Sequence, residues 1–499
     1  DDHGLNSLWD IDHVEILRGP QGTLCGKNSS AGVISVANKK PVMGEWEADG
    51  HITYGSDNES VNQLNANIPI GPTLAARISG YLEHRDGYVT DVQNGAILNS
   101  VNHEGFRGKL LWRPTDDLDA QLTAAYALSR DNPTATLLSF GPGPSNLSGY
   151  YVPGIPYVSS QALNAPFGVV AGPDNEKLAD MAPNYQRQRF HSETLEVNYH
   201  LGDYTLTSVT ALRISNEQRN LIAAFLPVPT LDVNTGDTHG SQFTQEVRLA
   251  SPIGDLVDYV VGLYYFRTSV SQSILQDGTF NLPDLRLFGL PFGPLYSQQG
   301  GMSLYHDYTT SYAAFGQGTL HATDQLRFIL GGRYTHDRVQ ASYRTVPYPG
   351  VTAFPGSGLA PSTNGQTEHN NFSVHVGAQY DFTPLIMGYA TFSTGYKGPT
   401  VSNIAGGAIP VKPETSQDFE LGVKSTLFDR HLTLNFAAFY EKYHNFQAQT
   451  YDTAVTPAAF ILSNAGGLVS KGLEADFNAK ITSELAVSGG ATYADATYT

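Results

Sequence analysis

The side chains able to do covalent or metal chemistry are few and scattered. The 499-residue sequence holds 15 histidines and one cysteine, Cys25. It has no His-Glu-x-x-His pair for zinc, no Gly-x-Ser-x-Gly elbow to expose a nucleophile and no glycine-rich phosphate loop. His200 and His375 fall on polar strand faces and read as solvated side chains. No catalytic centre, metal site or bound cofactor is expected. The charges that do stand in a pattern are strand carboxylates. Glu420 shares a face with Asp418, Gly422 and Lys424, opposite Phe419, Leu421 and Val423, while Glu474 lies opposite Leu473 and Ala475. Such residues do ion-pair chemistry, not bond-making.

The elements that carry them repeat every two residues. Phe372, Val374, Val376, Ala378, Tyr380 and Phe382 alternate with Ser373, His375, Gly377, Gln379 and Asp381. Leu118 to Leu128, Leu195 to Leu201 and Leu432 to Tyr440 follow the same rhythm. Successive side chains of a strand point to opposite faces, so each strand has one apolar and one polar face. A soluble sandwich shares that period. The runs here reach about ten residues or more, against five or six for globular strands. Charges sit on the polar face, and aromatics such as Tyr380, Phe382, Phe439 and Tyr440 flank the apolar one. These features suit a wall with lipid outside and water inside. The fold class expected is all-β, a transmembrane antiparallel β-barrel. No apolar run is long enough for a membrane helix, which does not count against a barrel.

Connections fall into two classes. Short turns such as Gly202-Asp203, Thr383-Pro384 and Phe428-Asp429-Arg430 carry turn chemistry. Long ones, among them 131–185, 273–307, 345–369, 398–415 and 448–466, separate them. Outer-membrane barrels keep short turns inside and long loops outside, so the long set faces the environment. Counting this way gives about seventeen strands between Glu45 and Thr499. The net charge of −18 argues against nucleic acid as a partner, because that binding neutralises phosphates with Lys and Arg.

Residues 1–44 differ in character from 45–499. Val14, Ile16 and Val33, Ile34, Val36 read as two short strands, with Gly19, Pro20, Gly22, Gly26 and Gly32 marking tight turns between them. The full string from Val14 to Val36, VEILRGPQGTLCGKNSSAGVISV, resembles the end of the plug domain of TonB-dependent outer-membrane receptors. Cys25 stands where that family usually has an aromatic residue. Phe392 to Pro399, Lys412-Pro413-Glu414, Phe419 to Lys424 and Lys471 to Ala475 resemble its later barrel strands. Arg85-Asp86-Gly87-Tyr88 is similar to another of its segments.

The resemblance implies residues 1–44 as the C-terminal part of a plug and 45–499 as the barrel. Plugged transporters have 22 strands, so the sequence reads as lacking most of the plug and the last barrel strands. Arg18 matches the plug arginine that pairs with wall glutamates, and Glu420 and Glu474 are the wall candidates for this plug–barrel contact. The implied function is active uptake of a scarce ligand across the bacterial outer membrane, most commonly a ferric siderophore. Iron would then be cargo. The implied partners are that ligand, outer-membrane lipid and the TonB-ExbB-ExbD complex, acting through a segment outside this sequence. Alternatives are a non-iron cargo (cobalamin, an oligosaccharide or an aromatic compound) and, in another class, a passive porin. Ligand choice would lie in the long loops, where Tyr150, Tyr151, Phe288, Phe292 and Tyr296 are the candidates. Few cations accompany them, which suits a neutral or aromatic-contacting ligand.

Overall fold

The computed structural model describes residues 8–499, apart from 136, 140–149, 153–154, 181, 222–224, 228–232, 255, 283–294, 347–361, 405–406 and 453–458. At 150–152, 155–158, 279–282, 295–299, 403–404, 452 and 459–460 it describes the backbone alone. An N-terminal hairpin pairs β1 (Ile11–Arg18) with β2 (Gly32–Asn38). Among the described residues, seventeen antiparallel strands then follow chain order round a barrel. They are β3 (Glu47–Tyr54), β4 (Ser60–Gly71), β5 (Leu74–Arg85), β6 (Val101–Thr115), β7 (Leu118–Asp131) and β8 (Tyr185–Leu201). Next come β9 (Tyr204–Asn220), β10 (Val233–Ala250), β11 (Val257–Leu282), β12 (Leu295–His321), β13 (Leu326–Val346) and β14 (Thr363–Thr383). The last are β15 (Ile386–Lys397), β16 (Glu414–Leu427), β17 (Leu432–His444), β18 (Leu468–Lys480) and β19 (Ala486–Tyr498). The order brings β19 next to β3. At that seam both strands are exposed along nearly their whole length, and no register joins them among the described pairings.

The wall inverts a soluble core. Outward positions carry exposed Leu263, Leu330, Phe372 and Leu421, whereas the most buried side chains include Arg77, Asp337 and Ser79. Val376, Tyr380 and Phe382 face out. Asp381 faces in, where it accepts two bonds from Arg327 at 2.6 and 2.8 Å. An apolar exterior with a polar interior is the arrangement a bilayer selects.

The long connections are less loop-like than the sequence suggests. Most of the stretch 273–307 is strand: β11 and β12 run 26 and 27 residues and pair out to Leu282 and Leu295. Above the bilayer both faces of a strand are wet, so the apolar alternation that marks a strand is lost there. The connection 398–415 holds a hairpin of Thr400–Ile404 and Gly407–Val411, and 448–466 one of Gln447–Asp452 and Ala459–Asn464. In 131–185 the helix Ser160–Asn164 begins on a Ser159 cap. Leu178 from the same stretch packs with Val89 and Leu98 in a small core.

Candidate functional site: a hairpin clamped in the barrel lumen

The hairpin and the residues between its strands touch inward-facing side chains on opposite sides of the wall, which places them in the lumen. The hairpin register sets Arg18 against Gly32, whose φ of 143° suits glycine. Between them the chain lies against β14 and β15. A Cβ on Gly22 would collide with the Thr394 carbonyl and the Ser373 side chain. Only a residue without one lets the two backbones come so close. Gly19 and Gly26 both have positive φ, and Pro20 packs by Gly395.

One end of this segment is sealed. Asp10 accepts from Arg77 Nε at 2.8 Å and Nη2 at 2.6 Å, and from Ser79 Oγ at 2.5 Å. Both partners of the ion pair are 1 % exposed. Trp9 stacks on Tyr81 at 5.3 Å, with the Arg107 guanidinium 4.6 Å from its ring centre. Lys109 donates to the carbonyls of Asn38 and Lys39 at 3.0 and 2.8 Å. Burial alone would raise the Asp10 pKa. The bonds from Arg77 and Ser79, with the charges of Arg77 and Lys109, outweigh it and hold the carboxyl below its ordinary range.

The middle is pinned by polar contacts. Lys27 Nζ lies 2.9 Å from Asp337 Oδ1 and 4.5 Å from the Phe266 ring centre. Tyr396 donates to the other Asp337 oxygen at 2.8 Å. Ser30 donates to Glu414 at 3.0 Å, and Ser416 donates back to the Ser30 carbonyl at 3.0 Å. Cys25 is exposed on the segment's surface, and partial desolvation by the surrounding lumen pushes its thiol pKa up.

The other end is wet. Arg18 Nη1 sits 2.6 Å from Glu474 Oε2, with Arg18 50 % and Glu474 18 % exposed. Glu420 is taken instead by the Tyr389 hydroxyl at 2.5 Å. Arg18, Asp418 and Glu420 border one cavity of about 200 Å³ together with Gly19, Pro20 and Gln21. Of the residues the sequence marks, Arg18 pairs with Glu474 and not with Glu420, and the sequence does not mark Asp10, Arg77, Lys27 or Asp337. A signal for Arg77 existed: it is a charge between Ala76 and Ile78 on a strand whose other face is apolar. Nothing local marked Asp10 as its partner, 67 residues away.

The candidate ligand residues are less accessible. Phe288 and Phe292 lie outside the described residues. Tyr150 and Tyr151 are seen only as the backbone of the short strand Tyr150–Val152. Tyr296, expected on a loop, is in β12 opposite Asn281, because the β11–β12 ladder extends that far. Among the described residues no group of three or more His, Cys, Asp or Glu could hold a metal ion.

A family model described as TonB dependent receptor-like, beta-barrel matches residues 144–499. The chain belongs to this family. TonB-dependent receptors are outer-membrane barrels, not enzymes, and this one is accordingly an outer-membrane β-barrel. The pesticin receptor of Yersinia enterocolitica is 27% identical over 489 residues, covering 94% of this chain and 61% of that protein. The ferrioxamine B receptor of Salmonella typhimurium is 23% identical over 515 residues, 98% of this chain and 63% of the relative. The chain thus spans less than two thirds of the length of these curated relatives. Among solved structures, the ferric yersiniabactin uptake receptor FyuA from Yersinia pestis superposes with a TM-score of 0.76 at 22% identity. That superposition covers 98% of this chain and 67% of FyuA.

Proposed function

We propose that this receptor takes up a ferric siderophore, with residues 1–44 as the C-terminal part of a plug that closes the barrel. The observation that carries the reading is the hairpin itself. It is tied to strands on opposite sides of the lumen by Asp10–Arg77, Lys27–Asp337 and Arg18–Glu474. A passive porin leaves its lumen open to water, so a segment clamped across it favours gated transport. The cargo class rests on the relatives, whose names include pesticin and ferrioxamine receptors. Iron is then cargo and the chain needs no cofactor of its own. Gated movement needs outside energy, supplied by the TonB-ExbB-ExbD complex at the inner membrane. Radioactive iron uptake by cells carrying or lacking the full-length gene tests this, with siderophores supplied singly under iron limitation. Gene-dependent uptake of at least one ferric siderophore, abolished without TonB, is expected. Equal uptake with and without the gene for every siderophore would overturn the iron assignment.

A further inference from the structure

We propose that the outer wall holds a binding site for the phosphate of an outer-leaflet lipid, built from Arg130, Arg187 and Arg189. Its premise is a barrel lying in the outer membrane, and it does not depend on the cargo. On β8 the outward face reads Leu201, Tyr199, Val197 and Leu195, then Glu193, His191, Arg189 and Arg187. On β7 it reads Leu118, Ala120, Leu122, Ala124, Tyr126, Leu128 and Arg130. Leu122, Tyr126, Leu195 and Tyr199 are exposed, as lipid-facing residues are. The apolar band of such barrels is about 25 Å tall, and tilted strands rising about 3.3 Å per residue cross it in roughly ten residues. Counted from Leu201, that band ends near His191, with Glu193 on its upper edge. Arg189 and Arg187 stand directly above it, at the level of lipid headgroups.

Their arrangement asks for an anion. Arg187 is the direct cross-strand partner of Arg130, and Arg189 follows on the same face opposite Leu128. Like charges facing each other across a ladder destabilise it. Arg130 is partly offset by Glu104 at 3.1 Å. Arg187 and Arg189 are exposed, and among the described residues neither has a carboxylate at salt-bridge distance. All three arginines border a concave surface of about 830 Å³, shared with His239 and two acids, Asp237, which faces out, and Glu217, whose carboxylate is held by Arg219 and Gln186. Asp237 belongs to β10, across Gln218 from Arg187. On a chain of net charge −18, three guanidiniums at one membrane boundary complement a phosphate bound to a lipid. Guanidinium binds phosphate bidentately, and lipid tails would lie along the apolar rows below.

The test uses the full chain in detergent, titrated with bis-phosphorylated lipid A and followed by native mass spectrometry. The Arg187→Gln/Arg189→Gln variant is expected to bind about tenfold or more weakly, and Arg187→Lys/Arg189→Lys to keep most of the affinity. Arg248→Gln, on a lumenal position beside Glu246, should bind as the parent does. If the double variant fails to fold, judged by heat-modifiable gel migration, Arg189→Gln alone should still show a several-fold loss. Equal binding by parent and glutamine variants would overturn the site. So would equal retention of lipid A stripped of its phosphates. Full displacement by inorganic phosphate would mean a free-anion site and overturn the lipid assignment.

Discussion

The two ends of the lumenal segment are held by the same chemistry in opposite surroundings. At Asp10 a carboxylate meets Arg77 with both partners 1 % exposed. At Arg18 a guanidinium meets Glu474 with Arg18 50 % exposed. Distance does not separate them, since each pair has a contact of 2.6 Å. Surroundings do. Removing one partner of a buried pair strands the other charge and costs about 3–5 kcal/mol. An exposed pair is screened and its removal costs about 0–1 kcal/mol. One end is therefore an anchor, and the other can let go at little cost.

Arg77→Ala should have the largest effect, a loss of about 3–5 kcal/mol in the seating of the segment, because it strands the buried Asp10 carboxylate. Trp9 is buried beside Asp10 and is one of three tryptophans, so its emission in a denaturant titration reads the loss. Asp10→Ala should cost less, since Glu47 and Asp49 remain 3.3 and 3.5 Å from Arg77, and the double variant should cost less than the sum of the two. Strict additivity would show that the two side chains do not act as a pair. Asp337→Asn comes next. It strips the charge facing Lys27 and disturbs the Tyr396 bond, for about 1–3 kcal/mol. Maleimide labelling of Cys25 should then quicken; an unchanged rate would detach Lys27 from the clamp. Arg18→Ala should cost no more than about 1 kcal/mol and vanish in high salt. A loss as large as that of Arg77→Ala would erase the distinction between the two ends.

The smallest effect is one of pH. The Asp10 carboxyl titrates below its ordinary value of 3.8 in the folded chain. Its contribution is then fully present above that value and is lost as pH falls through the lower, folded one. Trp9 emission should stay flat down to about pH 4 and change only in stronger acid. A transition centred above 3.8 would show that Arg77 and Ser79 do not stabilise the charged form.

Much of the wall was legible because a strand's period is two and a bilayer enforces it. The alternation from Phe372 to Phe382 sorted outward from inward side chains before any coordinates, and the same parity put Glu420 and Glu474 in the lumen. Where the bilayer stops enforcing the rule, the alternation stops marking strand: 273–282 and 295–307 look like loop in the sequence yet are strand, because both faces there are wet.

Parity says which way a side chain points but not what it meets across the lumen. Glu420 and Glu474 looked equivalent in the chain, yet Arg18 bonds Glu474 and Tyr389 occupies Glu420. Asp10 carries no periodic signal at all. The wall's closure around the segment brings it to Arg77 and shuts water out of their contact. An ion pair's worth depends on that exclusion of water, a property of the assembled barrel that no local stretch of sequence records.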